Sequence, residues 1–119
     1  MEKIVTKFAL FIAAELLINV PALSQETLPL EANYIIAGES ITDPPDDEKK
    51  DRVSIYIRGE GAKAIFEAMP EKEMPDPCSD ALVTKTAGGL TCIKGGPADY
   101  RCGVSIKLDT GETKNAWVC

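Results

Sequence analysis

The residues best able to do chemistry in this 119-residue chain are four cysteines, Cys78, Cys92, Cys102 and Cys119, and the chain contains no histidine to work with them. A Cys–His or Ser–His–Asp nucleophile needs an imidazole base, so those mechanisms lack their proton acceptor. Zinc also fits poorly. There is no C-x2-C pair, and spacings of 14, 10 and 17 residues follow no zinc pattern. A thioredoxin-like redox site would need C-x-x-C. What remains is a structural framework, since an even cysteine count in a short chain reads as disulfides. Disulfides persist in oxidising compartments.

Other reactive groupings are weaker. Ser54, Ser79 and Ser105 with Lys85 or Lys107 offer a Ser–Lys pair, but these residues read as ordinary solvent-facing positions. Glu60, Glu67, Glu71, Glu73 and Asp76 would have to converge in a pocket, one with a raised pKa, to act as a glycosidase-like carboxylate pair. They are instead expected at the exposed ends and side of a short helix. The acidic run Asp43 to Asp51 contains oxygen ligands suited to calcium. It lacks the D-x-D-x-D-G loop and closing glutamate, so a solvated charge run is the better reading. Gly59-x-Gly61 before a helix hints at an anion site, yet the third glycine is missing and Glu60 would repel phosphate. No cofactor or metal site is expected.

One surface grouping stands out. Tyr56 and Arg58 should lie on the outer face of one strand, and Arg101, Ser105 and Lys107 on the outer face of another. If those strands are neighbours, they make a polar, basic and aromatic patch, and Tyr and Arg are enriched where proteins grip partners. The plainer alternative is an ordinary solvated sheet face.

Positioning that patch requires a specific set of elements. Val53, Ile55 and Ile57 alternate with Ser54, Tyr56 and Arg58, which is the period of a half-buried strand. Ala62, Ile65, Phe66 and Met69 recur at helical spacing, and Pro70 ends the run. A helix of about ten residues is not stable alone in water, so its apolar stripe must dock on a sheet. Residues 70–80, with Pro70, Pro75 and Pro77, read as a loop. Leu82 to Ala87 and Leu90 to Lys94 read as strands around Gly88-Gly89. Tyr100 to Leu108 reads as the longest strand, with Tyr100, Cys102, Val104, Ile106 and Leu108 inward and Arg101, Gly103, Ser105 and Lys107 on a solvated outer face. Asn115 to Cys119, with Trp117, reads as a last strand.

The expected fold class is α+β, one short amphipathic helix packed on a small antiparallel sheet in the order β-α-β-β-β, held by two disulfides. Gly95-Gly96-Pro97-Ala98-Asp99 is a strong turn signal. Cys92 and Cys102 face each other if that hairpin centres on Pro97, which favours Cys92–Cys102 and leaves Cys78–Cys119. Four cysteines also allow two other connectivities. Each bond would contribute about 3–4 kcal/mol by loop entropy.

Upstream, residues 1–24 have the form of a cleavable secretory signal peptide. Lys3 and Lys7 precede an apolar run from Phe8 to Val20, and Ala22 and Ser24 supply the small residues before the cut. An apolar stretch of 13 residues interrupted by Glu15 is too short to span a bilayer, which takes about 20. Cleavage after Ser24 leaves 95 residues, enough for one domain. Within it, residues 25–52 read as an acidic, proline-containing N-terminal segment or linker. They contain one short strand at Asn33 to Ala37. Residues 53–119 read as the disulfide-stabilised domain.

The formal charge of −6 is concentrated in the N-terminal segment, where eight acids face two lysines over residues 25–51. That balance excludes a nucleic-acid binder, which wants a basic stripe with stacking aromatics. The functional expectation is a small periplasmic or secreted module that binds a protein or envelope component, an inhibitor of a foreign enzyme being one form. No stable membrane insertion follows signal cleavage. The alternative is a small carboxylate-dependent hydrolase of the cell envelope. A third possibility makes the acidic N-terminal segment the working part of a stress or adhesion protein.

Overall fold

The computed structural model describes residues 25–40 and 43–117. The signal peptide assigned to residues 1–24 and the cysteine assigned as partner of Cys78, Cys119, lie outside the described residues.

The α+β reading holds, with one helix against an antiparallel sheet. The elements are β1 (Glu31–Ala37), β2 (Arg52–Arg58), α1 (Gly59–Ala68), β3 (Met74–Asp76), β4 (Ser79–Ala87), β5 (Leu90–Lys94), β6 (Tyr100–Lys107) and β7 (Thr113–Lys114). The sheet runs β1-β2-β6-β5-β4-β3, and β7 pairs β6 beyond the end of β5. Its ordered part therefore begins at Glu31, upstream of Val53, because β1 zips onto β2 along its whole length, from Glu31↔Arg58 to Ala37↔Arg52.

β6 is the central strand. It pairs with β2 along one edge and with β5 and β7 along the other. The β5–β6 hairpin turns on Pro97 with Cys92 opposite Cys102, and Gly95 N–H donates to Asp99 O at 2.9 Å. Those two cysteines form a disulfide, their Cα atoms 4.0 Å apart, and both are fully buried. One disulfide is thus seen among the described residues where two are expected. Cys78 is not a free thiol.

α1 docks its expected stripe directly on this bond. Ala62, Phe66 and Met69 are buried with Cys92, Tyr100 and Cys102, and Ile57, Ile65, Val83 and Leu90 pack around them. Ala62 sits close enough that its carbonyl oxygen lies 3.5 Å from Cys102 Sγ. That is a packing contact, because a half-cystine has no S–H to donate. Phe66 meets Tyr100 edge to face, with centroids 5.5 Å apart. The helix stops at Met69, which is extended (ψ 124°) while its N–H still donates back to Ile65 O at 3.0 Å; Pro70 cannot continue the helix. Lys85 then closes this end. Its ammonium donates to Phe66 O at 2.9 Å and Met69 O at 3.1 Å, and lies over the Phe66 ring. A cation at carbonyls left without helical partners is favourable.

Three local expectations are corrected. Residues 74–76 form a short edge strand rather than loop. Proline is tolerated there because an edge needs no donor on its open side, although the register shifts between Pro75 and Asp76. The last strand among the described residues is Thr113–Lys114, earlier than expected, because Asn115 Oδ1 accepts from Trp117 N–H at 3.2 Å and bends the chain off the sheet. The outer face of β6 is not solvated throughout: Gly103 and Ser105 are buried, for a reason given below.

Phe66→Ala should cost about 3–5 kcal/mol, because a fully packed ring is lost. Lys85→Met keeps the stem but removes both bonds to the helix end, and should cost about 1–3 kcal/mol. Urea unfolding of the oxidised protein, followed by far-ultraviolet circular dichroism, measures both.

Candidate functional site

The register of β2 against β6 settles where the expected patch residues lie. Tyr56 stands opposite Gly103, Ser54 opposite Ser105, Arg58 opposite Arg101 and Arg52 opposite Lys107. Tyr56, Arg58, Arg101, Ser105 and Lys107 therefore share the sheet face opposite to α1.

They do not form one open patch. Residues 115–117 cross the middle of the face as a strap. Tyr56 O–H donates to Ala116 O at 3.2 Å, and its ring is 5.9 Å from that of Trp117, tilted by 53°. A Cβ placed on Gly103 would stand 3.0–3.1 Å from three adjoining atoms of the indole benzo ring. Near-equal distances to neighbouring ring atoms mean the indole lies face down on Gly103. The strap buries Ser105, whose hydroxyl is 3.2 Å from that of Ser54. Arg58 and Arg101 remain exposed at one end, and Lys107 is half-buried at the other.

A groove flanks the strap on each side. One, of about 250 Å³, runs over β3, β4 and β5 and includes Asp76, Thr84, Thr86, Thr91 and Trp117 in its walls. The other, of about 340 Å³, runs over β1, β2 and β6 and includes Arg52, Ser54, Tyr56, Ser105 and Lys114. Asn115 borders both.

The electrostatics of the face are set by opposed cations. Arg58 faces Arg101, and Arg52 faces Lys107. Like charges directly across an antiparallel pair repel. Each arginine is tempered by a carboxylate: Arg58 Nε–Glu31 Oε1 at 2.9 Å, Arg101–Asp99 at 3.5 Å, and Arg52 with Asp51 at 3.5 Å and Glu39 at 3.7 Å.

The other chemical candidates take structural places. Lys85 is on the α1 face, across the sheet from Ser54 and Ser105, and caps the helix. Lys107 shares the hydroxyls' face but lies at the Arg52 end. Ser79 Oγ accepts from Ala81 N–H at 3.3 Å. Asp76 is the one carboxylate lining its groove among the described residues. It is engaged, accepting from Cys78 N–H at 2.9 Å and Thr84 Oγ1 at 3.4 Å. Glu60, Glu67 and Glu73 are exposed and Glu71 is half-buried; none of these four lines that groove. No group of three or more metal-ligating side chains forms among the described residues. The Gly59-x-Gly61 pair makes room for the start of β1: a Cβ on Gly59 would meet Glu31 Oε2 at 2.9 Å, and one on Gly61 would meet Leu30 Cδ1 at 2.5 Å. The helix N-terminus thus already has an anion, the Glu31 carboxylate, beside it.

The strap is the feature sequence reasoning missed. Its signal is the pairing of a small residue, Gly103, in mid-strand with the single tryptophan of the chain, since a glycine inside a strand marks close approach of another group. Gly103→Val should lift the indole off the sheet. Because Trp117 is the only tryptophan, its emission reads this directly: the expected result is a red shift and increased quenching by acrylamide, with far-ultraviolet dichroism unchanged. An unshifted spectrum would mean the ring does not rest on Gly103.

None of the described helices is long and apolar enough to cross a membrane. The chain matches no protein-family model, no curated protein and no solved structure.

Proposed function

We propose that this chain is a small exported module that binds a protein or envelope component without catalysing a reaction on it. It grips its partner through the outer face of the β2–β6 ladder. The observation that supports this reading is the pair of opposed cations, Arg58 against Arg101 and Arg52 against Lys107. Such pairs cost stability, yet they bracket the β2–β6 ladder on the outer face of a chain whose formal charge is −6. An acidic partner laid across that ladder would relieve the repulsion. The Tyr56–Trp117 contact at its centre would supply a stiff, partly apolar anchor between the charges.

Export is part of the proposal. The buried Cys92–Cys102 bond fits an oxidising compartment, as does the signal-like form of residues 1–24. Periplasm or medium is the expected location.

The test uses the oxidised protein immobilised against an extract of the producing cell's envelope. Arg58→Gln with Arg101→Gln removes the repulsion together with two exposed ion pairs, so stability should change by less than about 1 kcal/mol. Capture should fall sharply, and capture by the unaltered protein should weaken as salt screens the contact. Lys49→Gln with Lys50→Gln makes the same charge change in the acidic loop and should leave capture intact. Equal yields from both double variants would overturn the reading.

A further inference from the structure

The two edges of the sheet are treated differently. The β3 edge is three residues long, contains Pro75 and shifts register, all of which discourage pairing with another chain. The β1 edge has seven residues, a regular register, and no proline or lysine. Its side chains are exposed on both faces, Tyr34 by 71%, Ile35 by 55% and Ile36 by 43%, with Pro44, Pro45 and Asp46 of the acidic loop bordering a shallow cavity at the Ile35–Ala37 end. Exposed open edges of this kind are templates for strand addition.

The apolar surface continues inward from that edge. On the α1 face, Tyr34 adjoins Ile55, and Ile36 adjoins Val53. Neither β2 residue belongs to the buried core, which gathers around Ile57, Cys92 and Cys102 under the helix. One end of the face therefore packs under α1, while at the other end Val53 and Ile55 are half-buried without joining that core.

We propose that β1 pairs antiparallel with β1 of a second copy of this chain, about a two-fold axis at Tyr34, to make a continuous sheet across a symmetric dimer. The register carries the argument. Centring on Tyr34 sets Tyr34 against itself, Asn33 against Ile35, Ala32 against Ile36 and Glu31 against Ala37. The charged residue of β1, Glu31, meets alanine and is already bound to Arg58 at 2.9 Å. Along the paired strands no like charges oppose each other. The two ends of the α1 face also match. The two-fold places each copy's Ile36 beside the partner's Ala32, whose neighbour in β2 is Ile57, the strand position under the helix. Each copy's exposed Ile36 thereby lies in line with the other's α1. An isologous contact of this kind is closed, so it stops at two copies.

Sedimentation velocity on the protein isolated with its disulfides intact should show a monomer–dimer equilibrium. Tyr34→Lys puts two ammonium groups across the axis and should raise the dissociation constant by roughly tenfold or more. Its melting temperature, extrapolated to low protein concentration, should be unchanged, because Tyr34 is largely exposed. Register is tested by oxidation of added cysteines. Tyr34→Cys should link to itself, whereas Asn33→Cys should link to Ile35→Cys and not to itself. A protein that stays monomeric up to ~1 mM overturns the proposal, whatever else covers the edge. So does self-linkage of Asn33→Cys as efficient as that of Tyr34→Cys. If Tyr34→Lys fails to fold, the cysteine pattern decides alone.

Discussion

The Cys92–Cys102 bond is the fixed point on which the two layers of this domain are assembled. It joins directly opposed residues of β5 and β6 at the middle of the sheet, and both half-cystines are fully buried beneath Ala62 and Phe66. Closing a loop of this length removes about 3 kcal/mol of freedom from the unfolded chain. For a domain with a small core that is a large share of net stability. The bond also dictates what stands above it. Ala62 is completely buried with its carbonyl against Cys102 Sγ, which leaves little room there for a larger side chain. Phe66 and Met69 fill the flanks, and Lys85 reaches from β4 to hold the helix end. A ten-residue helix without a side-chain cap at its start persists because both of its ends and its inner stripe are attached to the sheet.

The opposite face is organised by a different and weaker device. Among the described residues no helix lies on that side, and the cover is three residues of strap seated by one ring on one glycine. Gly103 has neighbours on both sides in the ladder, so its lack of a side chain leaves a flat site into which the indole fits. Tyr56 then fixes the strap by ring contact and by its hydroxyl. This leaves the ends of the β2–β6 ladder to cations and the flanks to two shallow grooves. One face is consequently rigid and spent on stability. The other is polar, partly covered and open to partners.

How much of this is legible in the sequence depends on how local the cause is. The turn at Pro97 and the Cys92–Cys102 pairing are set by residues within one hairpin, and the chain signals them plainly. The same is true of the stripe Ala62, Ile65, Phe66, Met69 and of its end at Pro70. Alternation in Val53 to Arg58 and Tyr100 to Leu108 separates the two faces correctly, which puts Tyr56, Arg58, Arg101, Ser105 and Lys107 on one side. What alternation does not contain is coverage. Ser105 and Gly103 read as solvent-facing and are buried because a segment ten or more residues downstream in the chain folds back over them. Leu108 reads as inward, yet lies exposed past the end of β6. β3 hides behind its prolines, since an edge strand needs too few backbone donors to leave a pattern. β1 is visible as a strand, but its pairing with β2 depends on how the acidic connection returns. Part of that return is visible only in space, where Glu48 Oε1 accepts from Ser40 N–H at 2.7 Å and Gly38 packs against Glu48 and Lys49.

The mismatch between helix and sheet explains why one end of the α1 face is only half-buried. Ten helical residues span about 15 Å, whereas β1, β2 and β6, of seven or eight residues, run about 23–27 Å, and the six strands from β1 to β3 across the sheet extend roughly 24 Å. One such helix cannot cover that area. It is tied to the Ile57 end of β2, because Gly59 turns the strand straight into the helix with a positive φ of 72°. Everything beyond Ile57 along β2 and beyond Cys102 along β6 is then outside its reach. The residues there are still Val53, Ile55, Val104 and Ile106, which are apolar and only half-buried. Half-buried apolar residues of this kind still gain from what burial they have, and on this face they run out to the exposed Tyr34 and Ile36 of β1. Strand addition at an unblocked edge would extend such an apolar face, so the half-buried end and the open edge belong to one feature of the fold.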